Sequence, residues 1–175
     1  YNGYDYDLVE IGNQCWFKKN IQTTTYRDGT PINYPGTDNT AWSNDTTGAY
    51  AWYNNDSTGY DSLYGKLYNW YAVDNSAGLC PTGWQVPSDS DWTVLESFLS
   101  ANGFNYDGST SGNKYAKAMA DTVGWNTDTG TGTVGNSDYP TYRNKSGFSG
   151  LPNEYRSENG YYYSIVNYAY WWSSA

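Results

Sequence analysis

Carboxylates, amides, hydroxyls and two thiols are the reactive groups of this chain, because histidine is absent from it. Without histidine, the usual zinc sites and the nucleophilic mechanisms that use a histidine base are excluded. Paired-carboxylate catalysis needs two acids that converge, and none of the glutamates lies in a motif that provides this: Glu10, Glu96, Glu154 and Glu158. The sequence therefore predicts a protein that is not an enzyme and has no cofactor other than a candidate calcium ion.

Calcium is the candidate metal because this hard cation takes carboxylate and carbonyl oxygens from flexible loops. The first candidate ligand set is Asp121, Asn126 and Asp128, and a second is Asn136 and Asp138. The alternative is that these side chains form turns by bonding their own backbone.

Aromatic residues suggest recognition, because 21 tyrosines and 9 tryptophans exceed what one core can hold. A surface of Tyr, Trp, Asn, Ser and Gly combines rigid contact area with adaptable hydrogen bonding. The predicted ligand-contacting residues are Trp42, Trp52 and Tyr53. The alternative is a stable secreted domain whose exposed rings bind nothing in particular.

Charge restricts the partners. The formal net charge is −9 and the mean hydropathy is −0.82. Such an acidic chain is not expected to bind nucleic acid or anionic membrane surfaces. No apolar run approaches the roughly 18–20 residues of a membrane span. We therefore predict no nucleic-acid partner and no membrane span.

Modification signals are frequent. Four Asp-Ser or Asp-Thr pairs match a bacterial O-glycosylation pattern, and three N-linked sequons are present. The candidate acceptors are Thr46, Ser57, Ser62, Thr122, Asn44, Asn55 and Asn144. Cys15 and Cys80 allow one disulfide, with a free buried thiol as the alternative.

One helix has strong local signals. Ser88 followed by Asp91 forms a capping-box pattern, and the apolar residues Trp92, Leu95 and Leu99 then recur at helical spacing until Gly103. This face must be covered by a sheet.

Weaker patterns place the other elements. We expect a hairpin from Val9 to Phe17 around Gly12-Asn13, because this pair suits a tight turn. Further expectations are an extended stretch at residues 50–53, a short helix at 67–73, helical turns at 114–120, one or two strands including Ile165 within 161–172, and long loops at 28–47 and 121–147.

Six stretches resemble, in order, the motifs of the Fibrobacter succinogenes major paralogous domain (FISUMP) family. They are V-E-I-G-N-Q-C-W at 9–16, the Asn20 to Gly29 segment, Y-G-K-L-Y-N-W-Y-A-V at 64–73, L-C-P-T-G-W-Q-V-P-S-D-S-D-W at 79–92, G-F-S-G-L-P at 147–152 and Y-W-W-S-S at 170–174.

The resemblance implies a secreted bacterial α+β domain with a C-type-lectin-like fold related to the formylglycine-generating enzymes. Such a domain has a small twisted antiparallel sheet, two short helices and long ordered loops, here as a single domain over residues 1–175. It implies no general activity. It also implies a disulfide partner for Cys15 near position 51 and one for Cys80 late in the chain. Neither of these two partner cysteines is present in the sequence. A formylglycine-generating enzyme needs two late cysteines and is therefore not expected.

The family continues past W-W-S-S, so the resemblance implies that the closing strands after Ala175 are missing. The opening hairpin would then have an unpaired edge, which is a template for another chain. The leading hypothesis is a structural or adhesive surface protein, a glycosylated subunit of a self-associating filament. The alternative is a module that binds glycans or proteins through its Tyr/Trp-rich loops.

Overall fold

The computed structural model describes residues 1–163 and 166–174, so Ile165 and Ala175 of the sequence predictions lie outside the described residues. The strands are β1 (Leu8–Ile11), β2 (Gln14–Phe17), β3 (Tyr50–Ala51), β4 (Leu67–Tyr68), β5 (Tyr155–Arg156) and β6 (Tyr162–Tyr163). The helices are α1 (Asn39–Asn44), α2 (Ser57–Tyr64), α3 (Trp70–Val73), α4 (Asp89–Ala101) and α5 (Ala116–Met119), and Tyr53–Asn55 and Pro140–Tyr142 form 3₁₀ turns.

The described residues form a small mixed α/β domain with five α-helices and three two-stranded antiparallel sheets, β1-β2, β3-β4 and β5-β6. The expectations of two helices and one sheet were therefore wrong. Helix α1 lies inside the predicted 28–47 loop, where the Asp38 carboxylate accepts a hydrogen bond from the Ala41 amide and caps it. Helix α2 is capped in the same way by Asp56.

The predicted opening hairpin is confirmed. Its strands pair from Leu8 with Phe17 to Ile11 with Gln14. Gly12 occupies the turn with a φ of +63°, in the left-handed region that glycine adopts without strain. The side chains of Ile11 and Trp16 face the interior, so the hairpin covers helix α4.

Helix α4 is also confirmed, with its predicted start. The Ser88 hydroxyl accepts from the Asp91 amide, and the Asp91 carboxylate accepts from the Ser88 amide, which completes the capping box. Leu95 and Leu99 are fully buried among Ile11, Trp16 and Phe148, while Glu96 is exposed.

A second apolar cluster lies under β3 and β4. It contains Tyr26, Ile32, Tyr50, Tyr68, Ala72, Val73 and Leu79. Leu67 and Tyr68 belong to strand β4, and helix α3 begins only at Trp70, where the Asn69 side chain accepts from the Ala72 amide. The predicted helix at 67–73 therefore began too early, because Asn69 is the stronger local helix start.

Strands were predicted within residues 161–172, and among the described residues only the start of this segment forms one. Tyr162–Tyr163 pairs with β5, as predicted for part of this segment. Beyond it, the Asn153 side chain donates to the Tyr170 carbonyl and accepts from the Tyr170 amide. Ser174 then forms a single parallel bridge to Ser88. One side chain thus takes the place of a neighbouring strand.

Replacing Ser88 with Ala is expected to reduce the free energy of unfolding by about 1 kcal/mol, because the Asp91 amide loses its capping acceptor. Chemical denaturation followed by circular dichroism measures this change. Ser90→Ala, at an exposed position in the first turn of α4, is the control and should leave the midpoint almost unchanged. Equal effects of the two substitutions would contradict the assigned cap.

Candidate functional site

The main concave feature of the described residues is a groove of about 1220 Å³. We call it the aromatic groove after six of its lining residues, Phe17, Trp70, Trp84, Trp92, Trp171 and Trp172. Small-molecule pockets usually measure about 300–1,000 Å³. The size and open shape of the groove therefore suit a segment of a polymer better than a small metabolite.

Strand β2 forms one border of the groove, whereas no residue of β1 lines it. The Lys18 amide donates to the Asp7 carbonyl, which makes Asp7 and Lys18 a hydrogen-bonded pair. Because bonding alternates along an antiparallel ladder, the backbone groups of Cys15 and Phe17 point away from the hairpin. No described residue bonds to these groups, so β2 presents an unpaired edge at the groove.

Aromatic rings extend from this edge across the groove. Phe17 stacks on Trp84 with ring centroids 4.2 Å apart, and Trp70 lies 5.8 Å from Trp172. The Trp172 indole donates to the Tyr68 carbonyl at 2.9 Å. Trp172 nevertheless remains 45% exposed, so part of this ring is free to contact a ligand.

A buried arginine lies at another part of the groove lining. The Arg156 guanidinium packs on the rings of Trp42 and Tyr162, at 4.4 and 4.9 Å from their centroids. Ser157 follows it, and its carbonyl accepts from the Trp42 indole at 2.9 Å. Arg156, Ser157 and Trp42 all line the groove.

The predicted ligand-contacting residues occupy different environments. Trp42 is 4% exposed, so its ring supports Arg156 and is not open to a ligand. The Trp52 indole donates to the Asp61 carboxylate, and its ring packs on Tyr50. Tyr53 is half-buried and lines the groove. Only Tyr53 of the three therefore lies in the groove and is partly accessible.

Lys66 and Asp61 form an ion pair below the Trp52 ring. The Lys66 ammonium has no exposed side-chain surface, and its nitrogen lies 2.7 Å from Asp61 Oδ1. Burial by itself raises the pKa of Asp61, but the hydrogen bonds from Lys66 and Trp52 outweigh it and hold this pKa below its ordinary value. The pair holds α2 against the N-terminal segment, because Tyr4 also donates to Asp61.

Two of the predicted calcium ligands, Asp121 and Asp128, bond to backbone amides of the chain. The carboxylate of Asp121 accepts from the amides of Thr122 and Val123, and that of Asp128 accepts from the Gly130 amide. Asn126 is exposed. Within residues 1–163 and 166–174, no group of three or more Cys, Asp or Glu side chains is arranged to hold a metal ion. The two aspartates thus form turns, as the alternative interpretation proposed.

In the second candidate calcium site, Asn136 and Asp138, a lysine ammonium binds to the oxygens that were predicted to bind the metal ion. The Lys117 ammonium is 1% exposed and donates to the carbonyls of Asn136 and Asp138 and to the Asp138 carboxylate. The Asp138 carboxylate also accepts from the Gly132 amide. The loop around residues 130–138 is therefore organised by a cation that belongs to the chain itself.

Most glycosylation candidates are accessible. The exposed ones are Asn44, Thr46, Ser57, Ser62 and Thr122. Asn55 and Asn144 are half-buried, and their side chains are already bonded to Tyr162 and Ser149, respectively. Their use as acceptors requires those bonds to break.

The candidate disulfide between Cys15 and Cys80 is not formed, since both cysteines are free. Cys15 is exposed on the edge of β2, whereas Cys80 is buried under the Pro81 turn. Burial raises the pKa of the Cys80 thiol to about 11. Cys80 is therefore a protonated, buried thiol, as the alternative interpretation expected.

The glutamates considered for catalysis differ in exposure, and two of them, Glu154 and Glu158, line the aromatic groove. Glu10, Glu96 and Glu158 are exposed. Glu154 is half-buried, which raises its pKa. The three buried cations Lys66, Lys117 and Arg156 were missed in the sequence, because charged residues are mostly exposed and no motif marks these positions.

Comparison with known proteins gives one match. The model of the family described as the Fibrobacter succinogenes major domain matches residues 9–175. Neither the curated proteins nor the solved structures compared with the chain gave a match. In the described residues, no helix has the length and apolar character to cross a membrane.

Replacing Lys117 with Met should loosen the loop at 130–138, because each buried carbonyl left without a donor costs about 1–3 kcal/mol. We expect amide hydrogen exchange in this loop to become about tenfold faster or more. Lys114→Met is the control, since its ion pair with Asp107 is at the surface. Restoration of protection in the Lys117 variant by calcium would show that the loop is a metal site.

Replacing Asp61 with Asn should lower the free energy of unfolding by about 3 kcal/mol at neutral pH, because Lys66 is left unpaired. The pKa of Asp61 is lower in the folded protein than in the unfolded chain, where it is about 3.9. The ionised carboxylate therefore stabilises the fold above that pH, and this stabilisation is lost as the pH falls through the pKa of the folded protein. The difference between wild type and variant should therefore shrink toward pH 2.

Urea unfolding at several pH values measures this difference. Asp5→Asn, at an exposed position, is the control and should change stability little. A difference for Asp61→Asn that is independent of pH would show that the pair does not stabilise the native state electrostatically.

Proposed function

The chain belongs to the Fibrobacter succinogenes major domain family, and since this name states no activity, we propose from the site that it is a non-enzymatic assembly domain displayed outside the cell. In this proposal an extended segment of a second copy adds to the outer edge of β2. The role is structural or adhesive, and repeated addition builds a filament.

The observation that carries the proposal is the unpaired edge of β2 beside the aromatic groove. The outward backbone groups of Cys15 and Phe17 offer hydrogen bonds to an added strand. Phe17 and Trp84 then offer contact area for alternate side chains of that strand. Backbone pairing supplies affinity and the rings supply selectivity.

Two lysines beside the edge of β2 offer partners for acidic residues of an added segment. Lys18 and Lys19 follow β2 directly and line the groove, and they are two of only nine basic residues in the sequence. An acidic stretch of the added segment can pair with these lysines, and this local attraction must outweigh the repulsion between two copies that each carry a net charge of −9. Donor and acceptor surfaces that differ form a heterologous contact, which builds filaments when the rotation does not close.

The proposed location and architecture rest on the sequence. The acidic, Tyr- and Asn-rich composition and the exposed acceptors at Asn44, Thr46, Ser57, Ser62 and Thr122 support a glycosylated extracellular protein. We also propose that the domain is a variant of the C-type-lectin-like fold, on the strength of the six ordered motifs.

A second candidate function is glycan binding in the aromatic groove. The supporting observation is that the rings of Trp171 and Trp172 are 38% and 45% exposed. Aromatic faces of this kind present flat apolar surface to a ligand. Binding to a glycan array by a protein that does not self-associate would favour this function over assembly.

Replacing Cys15 with Pro should abolish self-association, because it removes the outward N–H without removing a bond of the hairpin. Light scattering after size-exclusion chromatography, over a range of protein concentrations, measures the association, and electron microscopy shows filaments. Glu10→Pro is the matched control, since its N–H points outward on the opposite edge of the hairpin.

Circular dichroism establishes that both variants fold. We expect Glu10→Pro to assemble like the wild type. A wild type that stays monomeric at all concentrations, or a folded Cys15→Pro variant that assembles normally, would refute strand addition at β2.

A further inference from the structure

Arg156 is a buried cation without an acidic partner in the described part of the chain. It is 8% exposed. The ion pairs found among residues 1–163 and 166–174 involve Lys66, Lys114 and Lys117. A buried charge without a counterion is costly, and the chain contains 18 acidic residues that could have supplied one. The Asp38 carboxylate attracts the guanidinium without forming an ion pair with it, so the lack of a direct acidic partner requires an explanation.

The guanidinium is held rigidly. It lies over the rings of Trp42 and Tyr162, with ring centroids at 4.4 and 4.9 Å. Nε donates to the Gly160 carbonyl at 2.9 Å, and Nη2 donates to the Asn39 side chain at 3.2 Å. Because Nε and Nη2 are bonded, Nη1 is the nitrogen that remains for a further ligand.

Two neighbouring polar atoms have no partner. Arg156 Nη1 and Ser157 Oγ are both shielded from solvent and make no hydrogen bond with any described residue. The Ser157 backbone is already used, since its amide donates to Tyr161 and its carbonyl accepts from Trp42. Nη1 can only donate and the hydroxyl can donate. Each of the two atoms can therefore donate to an acceptor oxygen.

We propose that Arg156 and Ser157, which both line the aromatic groove, form a carboxylate-binding site whose shielded donors become accessible when the groove side chains move aside. A carboxylate supplies two acceptor oxygens and the missing negative charge. Trp42 and Tyr162 position the guanidinium, and Asn39 fixes its orientation. This site does not depend on strand addition at β2, so either proposal stands if the other fails.

Acetate is the probe for this site. We expect the Nε–H resonance of Arg156 and the indole N–H resonance of Trp42 to shift saturably when acetate replaces chloride at constant ionic strength. Saturating acetate should also raise the melting temperature by about 2–4 °C, through preferential binding to the folded state. The same titration with chloride alone measures the effect of salt.

Ser157→Ala should weaken acetate binding by about three- to tenfold, the loss of one hydrogen bond. Arg156→Lys should abolish the saturable response, because lysine lacks the planar fork. Lys145→Met is the control, because Lys145 also contacts aromatic rings, those of Phe104 and Tyr142, but is exposed. Its response to acetate should equal that of the wild type.

Two results would overturn the proposal. One is a wild type whose Arg156 and Trp42 resonances respond equally to acetate and chloride. The other is a folded Ser157→Ala variant that binds acetate with unchanged affinity. Either result would show that Arg156 only fastens the β5-β6 hairpin to α1.

Discussion

Packing around the Trp92 indole is the interaction on which the structure depends. Its ring lies 4.9 Å from Trp16 on the hairpin, 6.3 Å from Phe148 and 6.0 Å from Trp171. Its N–H donates to the Trp172 carbonyl. Helix α4, the hairpin and the segment at 170–174 therefore meet at one side chain. Two-stranded sheets are marginally stable by themselves. Contacts between aromatic rings, each worth about 0.5–1.5 kcal/mol, therefore supply stability that a larger sheet would otherwise provide.

Three buried cationic side chains also hold separate parts of the chain together. Lys66, Lys117 and Arg156 are all buried, and each connects segments that have little regular structure. Lys66 joins α2 to the N-terminal segment, Lys117 gathers the loop at 130–138, and Arg156 attaches the β5-β6 turn to α1. Lysine and arginine supply several donors to backbone carbonyls that no helix or strand satisfies. An acidic chain with long loops thereby folds around its few positive charges.

Local signals explain which elements the sequence could predict. Gly12-Asn13 specified the hairpin, and Ser88 with Asp91 specified the start of α4, because each pattern is complete within a few residues. Helix α2 was missed because it begins with Ser57, Thr58 and Gly59, which have low helix propensity.

The site was less predictable, because burial is decided by distant contacts. Nothing around Trp42 indicates that it stacks on Arg156, and nothing around Asp138 indicates that Lys117 occupies its loop. The same long-range contacts have a consequence for folding. Hydrogen bonds join Asn20 to Trp171, Tyr68 to Trp172 and Val86 to Ser174, across 151, 104 and 88 positions. Such high contact order makes folding slow, since loop-closure entropy is lost before the native contacts form. We therefore expect the aromatic residues to stay exposed for longer during folding than in a helical domain of similar length, which has fewer long-range contacts.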